Sequence, residues 1–253
     1  MQRYFVAPEH ILSHNVVITG DDVRHIHKVM RMGPGDELIC ANGMEQAFLC
    51  RITEITAEKV EAAIIHECPQ TQELPVRITI VQGMPKGDKL EYIVQKGTEC
   101  GAKAFYPYEA ERSIVKWQPG KIGKKLDRLR KIAKEAAEQS HRAMIPMVNE
   151  PVSIKTLIKM SAEYQHKIVA YEETAKAGKQ GGLPEVFHSM DSGEECLVVI
   201  GPEGGLSPNE MDEFKRADFI PCGLGNRILR TETASLFVLS AASYHFELIN
   251  EVK

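Results

Sequence analysis

Two different rhythms of apolar and polar positions divide the chain. Over residues 1–72 the apolar residues come in short runs: 15–19 (NVVIT), 37–41 (ELICA), 47–52 (AFLCRI) and 60–66 (VEAAIIH). Runs of roughly five to seven residues rich in Val and Ile have strand length and strand composition. Asn42-Gly43 reads as a hairpin turn between two of them, because glycine accepts positive φ. Residues 33–36 (GPGD) read as another turn. One stretch departs from this pattern. Within 22–32, Val23, Ile26 and Met30 recur at helical spacing, which sets Arg24, Lys28 and Arg31 on a different face. The expectation is a small β-barrel carrying one basic helix. Residues 69–75 are polar, with Pro69 and Pro75 at the ends, and form the expected linker.

From Val76 onward strands alternate with helices. Residues 77–82 (RITIVQ), 103–106, 167–171 (KIVAY), 196–200 (CLVVI) and 219–224 (FIPCGL) have the character of buried strands. Helices are predicted after Asp88, with Leu90, Ile93 and Val94 inward, over 123–143, over 209–217 and over 231–248. The long helix 123–143 has an inner stripe of Leu126, Leu129, Ile132/Ala133, Ala136/Ala137 and Ser140, with most of its basic residues outside the stripe and Pro146 as its stop. Such alternation implies an α/β domain built on a mainly parallel sheet. Residues 175–188 (AKAGKQGGLPEVFH) break the alternation and are expected to be an exposed loop. The expected organisation is therefore 1–72 and 73–253.

Composition narrows the class. A chain that is 43% hydrophobic with a net charge of −4 is not a disordered one. No apolar run approaches the ~18 residues of a membrane span. Residues 1–10 lack a basic segment leading into an apolar one, so no secretory signal is expected and the location expected is cytoplasmic. None of the six cysteines is spaced C-x-x-C, which argues against a zinc ribbon or a redox pair, and buried thiols are the expectation. His25 and His27 lack a third ligand nearby, so no metal is expected. The small net charge conceals segregation. Residues 112–142 hold ten basic residues against three acids, the footprint of a nucleic-acid-binding face. On charge alone, a solvated helix face is an equal alternative.

Three predicted strands end in unusual loops, where open α/β sheets bind ligands. The first holds Tyr171 and Glu172. The second is 201–205 (GPEGG), three glycines around Glu203, followed by Ser207-Pro208 as a helix start. The third is 225–234 (GNRILRTETA), with Ile228 and Leu229 between two arginines and Thr231-Glu232-Thr233 expected to cap the last helix. Neither G-x-G-x-x-G nor the P-loop pattern is present, so the usual nucleotide-phosphate readings lack their fingerprints.

These segments, together with MQRYFV at the start, HIHKVMRMGPGD at 25–36 and EAAEQSHR at 135–142, resemble in order and spacing the RsmE family of 16S ribosomal RNA uridine N3-methyltransferases, within the SPOUT superfamily. The resemblance covers essentially the whole chain. It implies a PUA-like N-terminal barrel and a C-terminal α/β domain with a deep trefoil knot. It also implies S-adenosylmethionine as cofactor, a homodimer, 16S rRNA within the small ribosomal subunit as partner, and N3-methyluridine as product. Carried onto these positions, Leu224, Gly225, Ile228 and Leu229 would hold the adenine. Gly201, Gly204 and Gly205 would line the ribose and methionine, with Tyr171, Glu172 and Thr231 as further cofactor contacts. Arg230 would stabilise charge on the base, Glu203 is a candidate proton acceptor, and Arg142 with Gln139 would orient RNA or the partner's site. RNA phosphates would meet Arg3, Arg24, Lys28 and Arg31, and on the long helix Lys124, Lys125, Arg128 and Lys131. Two alternatives stand beside this reading: a non-catalytic ribosome-assembly factor, and a knotted methyltransferase acting on another RNA.

Overall fold

The computed structural model describes residues 1–44, 46–69, 72–171 and 182–249. The chain forms two compact units: Met1–Glu73 with Lys134–Ile145, and Leu74–Ala133 with Pro146–Lys253. The first unit's main segment ends at Glu73, and Lys134–Ile145 counts with it.

The first unit is a curled half-barrel of five strands: β1 (Arg3–Phe5), β2 (Asn15–Thr19), β3 (Glu37–Ala41), β4 (Ala47–Ile55) and β5 (Lys59–Glu67). Their order is β1-β3-β4-β5-β2, antiparallel except for β1 beside β3. Register shifts at Leu49/Cys50 and Ile52/Glu54 bend β4, as bulges do. Alternate residues turn inward, so Val16, Ile18, Leu38, Cys40, Cys50 and Ile52 make a core with Tyr4 and Ile26. The helix predicted over 22–32 is shorter. A single turn, α1 (Asp21–Arg24), passes into a π-helical turn, His25–Val29. Arg31 lies beyond it at φ 55, so it does not share a helical face with Arg24 and Lys28.

Among its described residues the second unit holds six parallel strands: β6 (Arg77–Gly83), β7 (Ala104–Tyr108), β8 (Met147–Val148), β9 (His166–Ala170), β10 (Glu195–Ile200) and β11 (Ile220–Cys222). Their order is β11-β9-β10-β6-β7-β8. Six of the seven β6 residues and five of the six β10 residues are buried, the continuous apolar run of a sheet covered on both faces. Among the described residues the other α-helices are α2 (Lys89–Glu99), α3 (Ile122–Gln139), α4 (Ile154–Met160), α5 (Leu183–Ser189), α6 (Pro208–Arg216) and α7 (Thr231–Ser243); a π-helical segment, Tyr244–Ile249, follows α7.

Leu126, Leu129, Ala133, Ala136 and Ala137 of α3 are buried, as their spacing predicts. The helix stops at Gln139, not near 143. His141 takes φ 58, its N–H donates to the Glu138 carbonyl, and the Arg142 N–H donates to the Ala137 carbonyl. That is a Schellman stop, with His141 where glycine is usual, so Pro146 is not the terminator. The loop expected over 175–188 is corrected in its described part. Gly182 at φ 115 leads into α5, whose Leu183, Val186 and Phe187 are buried at helical spacing. Residues 175–181 lie outside the described residues. The strand predicted over 219–224 contracts to β11 around Pro221. Among the described residues no helix is long and apolar enough to cross a membrane.

Candidate cofactor pocket

The carboxyl ends of β9, β10 and β11 open onto one cavity of about 800 Å³, inside the range of small-molecule sites. Ala170 and Tyr171 come from the end of β9, Ile200 to Leu206 from the turn after β10, and Leu224 to Thr231 from the loop before α7. Lys89 and Arg112 complete the rim.

Local chemistry explains why these turns can stand there. Gly205 takes φ 69 and its N–H closes the turn onto the Pro202 carbonyl at 2.9 Å. Gly83, at the end of β6, lies so close to that turn that a Cβ would stand 2.5 Å from Pro202, so glycine is required for the approach. Ser207 then caps α6: its Oγ accepts the Glu210 N–H, and Glu210 accepts the Ser207 N–H at 2.7 Å. Glu210, only 5% exposed, also accepts the Tyr108 hydroxyl at 2.5 Å and the Glu111 N–H at 2.9 Å. Burial, then the bond to Glu210, pushes the Tyr108 phenol far above its ordinary pKa. One buried carboxylate thus ties the exit of β7 to the glycine-rich turn.

A second buried network joins the other turn. Thr231 Oγ1 donates to the Gly201 carbonyl at 2.6 Å and accepts from Gln82 Nε2 at 2.7 Å, while Ser235 donates to Gln82 Oε1 at 2.5 Å. Gln82 and Ser235 are fully buried. Thr231 was expected to cap α7. Arg230 occupies the N-cap position, no side chain caps the helix, and the Thr231 hydroxyl bridges two strand ends.

The charges are arranged around Lys89. Its ammonium meets Glu203 at 2.9 Å and Glu232 at 3.3 Å. Glu203 also accepts the Lys86 N–H at 3.2 Å. Desolvation raises the Glu203 carboxyl, but the hydrogen bonds from Lys89 and the backbone outweigh it and hold the group below the ordinary carboxylate range. The bond to Glu203 in turn raises Lys89. Arg230 and Arg227 are exposed on the rim, and Arg112 donates to the Gly204 carbonyl at 3.3 Å.

The structure brings together Tyr171, Gly201, Glu203, Gly204, Gly205, Leu224, Gly225, Ile228, Leu229, Arg230 and Thr231. Ile228 is 73% exposed, a rim residue more than a wall. Glu172 lies outside the described residues. Arg142 is placed elsewhere. It is 3% exposed in the first unit, with its guanidinium on Glu73 at 2.5 Å, because the Schellman stop of α3 turns it inward. Arg3 is also buried, donating to the Arg142 carbonyl at 2.7 Å, so it presents no cation to a phosphate. Arg24, Lys28, Arg31 and Gln139 are exposed in the first unit, and Lys124, Lys125, Arg128 and Lys131 are exposed in the second. Arg128 is paired with Glu91 at 2.7 Å. Gln82, Lys89 and Arg112 escape a reading of the sequence as site residues. Only Gln82 carries a signal there, as the one amide in the run RITIVQG.

Residues 72–243 match a family described as RNA methyltransferase domain, and residues 18–65 match one described as RNA methyltransferase PUA domain. The chain is 44% identical, over 98% of both chains, to Ribosomal RNA small subunit methyltransferase E of Bacillus subtilis. It is 30% identical to the protein of that name in Mycobacterium bovis, over 89% of this chain and 84% of the other. Among solved structures it is similar to Ribosomal RNA small subunit methyltransferase E from Neisseria gonorrhoeae bound to S-adenosyl methionine. There the TM-score is 0.84 and the identity 31%, over 96% of this chain and 97% of the other.

Proposed function

The chain belongs to the RNA methyltransferase family, and on that premise we propose that it is an S-adenosylmethionine-dependent methyltransferase of small-subunit ribosomal RNA, here of 16S rRNA. Its first unit carries the PUA domain of that family.

The residues fit the cofactor. Leu224 and Leu229 offer apolar contact to a flat ring, and the cavity has room for a nucleoside-sized ligand. Nothing lies within 4 Å of where a Cβ on Gly205 or Gly225 would stand, so backbone is exposed on both turns. When bound, S-adenosylmethionine supplies an electrophilic methyl group on a sulfonium. What the chain adds is position. Thr231 and Gln82 hold the two turns in register, and Lys89 holds the first turn through Glu203.

The finer reading places the methyl group on N3 of a uridine in the decoding region. That nitrogen carries a proton at neutral pH, so the reacting base must become anionic. Arg230 stands exposed at the N-cap of α7, where its guanidinium and the helix N-terminus both favour negative charge. Glu203 acts as an anchor in this reading, since a carboxylate held ionised below its ordinary range is a weak proton acceptor. The same reading includes a trefoil-knotted pocket, a homodimer through the second unit, rRNA presented within the small subunit, and a cytoplasmic location. Exposed Phe237, Tyr244 and Leu248, on and just after α7, support the homodimer.

The observation that carries the proposal is the Thr231 bridge to Gly201, which makes two glycine-bearing turns into one pocket. The test is nucleoside analysis of 16S rRNA from cells lacking this protein. Loss of N3-methyluridine, restored by the purified protein with S-adenosylmethionine, is the expected result; N3-methyluridine retained in those cells refutes the substrate.

A further inference from the structure

Between β7 and α3 the chain runs without helix or strand from Glu109 to Gln118, wholly within the second unit. It leaves the sheet at the pocket. The Glu111 N–H is held by Glu210, and Arg112 lines the rim on the Gly204 carbonyl. Ser113 is 7% exposed, and its hydroxyl has no hydrogen-bond partner among the described residues. Ile114 is 74% exposed. Lys116 is exposed, and Trp117, the single tryptophan of the chain, is half-buried. The ammonium of Lys125, an exposed residue of α3, stands 5.0 Å above the centre of the Trp117 ring. A ring face that meets an exposed ammonium, on a residue that is itself half-buried, can exchange that cation for another partner. Trp117 lies five positions after Arg112, so their backbones lie no more than about 18 Å apart.

We propose that residues 112–117 are a track for single-stranded RNA leading into the pocket, with Trp117 stacking a base beside the target nucleotide and Arg112 taking the phosphate at the rim. The proposal rests on the methyltransferase reading for its target nucleotide and on geometry for the track itself. Proteins read unpaired RNA by stacking bases on aromatic rings along a basic groove. Stacking of a base on an aromatic ring outweighs an exposed cation–π contact, so an incoming base displaces Lys125 from the ring. The displaced ammonium is then available to the adjoining phosphate. Ile114, exposed between the two, supplies an apolar contact to a splayed base.

The chain's single tryptophan makes the test direct. An unlabelled single-stranded oligouridylate is titrated into the full-length protein while Trp117 emission is followed, with binding measured separately by anisotropy of a labelled copy. The expected result is saturable quenching by half or more, reversed by high salt. Trp117→Ala weakens binding about tenfold, and Trp117→Phe restores most of it. Arg112→Gln lowers the magnitude of the salt slope by about 0.7, the share of one phosphate on a single strand. S-adenosylmethionine calorimetry on the Trp117 variants, expected unchanged, shows that the pocket is intact. Binding with no change in emission, equal affinity of Trp117→Ala and the parent, or no binding at low salt each overturns the track. Failure of the parent protein to bind S-adenosylmethionine, with quenching intact, removes the methyltransferase reading and leaves the track standing.

Discussion

Thr231 Oγ1 donates to Gly201 and accepts from Gln82, so Thr231→Val keeps the side-chain outline and deletes both bonds. It leaves a buried amide N–H short of an acceptor, which costs about 1–3 kcal/mol. We expect urea unfolding to show that loss, and calorimetry to show S-adenosylmethionine binding weakened by roughly tenfold, since ~1.4 kcal/mol is a factor of ten. Unchanged affinity would mean that the turns hold their places without the bridge. Glu203→Gln separates anchor from base. A general base contributes about 10²–10⁴-fold, whereas an exposed ion pair is worth about 0–1 kcal/mol. We expect kcat to fall less than about tenfold. The pH dependence carries a sign. The folded-state pKa of Glu203 is depressed, so its contribution is complete above the unfolded value and fades as pH falls through the folded one. The stability it lends the folded protein should therefore hold from neutrality down into the usual carboxylate range and fade only below it, and Glu203→Gln should remove that acid limb in thermal unfolding. At this scale the glycine-bearing turns were legible, because glycines around a lone carboxylate and two leucine-sized groups between arginines are unusual in loops. Gln82 and Lys89 were not. Gln82 meets Thr231 across 149 positions, and Lys89 meets Glu203 across 114, so no local spacing can reveal either pair.

Helix α3 presents Leu126, Leu129 and Ala133 inward, which leaves Lys124, Lys125, Arg128 and Lys131 in solvent. Reversing Lys124→Glu with Lys125→Glu should weaken RNA binding and reduce the magnitude of the salt slope by 1 or more, each phosphate on a single strand contributing about 0.7. Equal losses in cofactor and RNA binding would contradict the separation of the two surfaces. The periodicity of α3 was readable because its stripe is long and regular; its end was not. A histidine in the left-handed region stops it, and histidine, though commoner there than most side chains, signals that conformation far less clearly than glycine. The same stop delivers Arg142 to Glu73, a nearly buried pair whose breakage by Glu73→Ala should cost about 3–5 kcal/mol. Thermal unfolding would show it, with cofactor affinity of the folded protein retained. Helix α5 escaped for a different reason. Its seven residues make two turns, too few for a repeat to declare itself, and the glycines before it read as loop. Strand β8, two residues long, offers no alternation at all.

Over the whole chain the net charge is −4, so long-range attraction to a polyanion has to come from where the cations are placed. The cofactor pocket and the cations of α3 rest on different residues, which makes their thermodynamics separable in one experiment. A ligand that binds only the folded protein adds about 2.7 kcal/mol at a hundred times its dissociation constant. For a protein of this size each kcal/mol shifts Tm by roughly 2–4 °C, so saturating S-adenosylmethionine should raise Tm by about 5–10 °C. Lys124→Glu with Lys125→Glu should keep that full shift, because neither lysine touches the pocket. Thr231→Val should start from a lower Tm and gain less at the same cofactor concentration, since both the bridge and the affinity it supports are reduced. An oligouridylate should add its own increment to the parent at low salt and lose it at high salt, with the cofactor increment nearly unchanged. If the two ligands instead shifted every variant in parallel, binding energy would be passing through a common element. The assignment of cofactor to the glycine-bearing turns and of RNA to α3 and the track before it would then fail together.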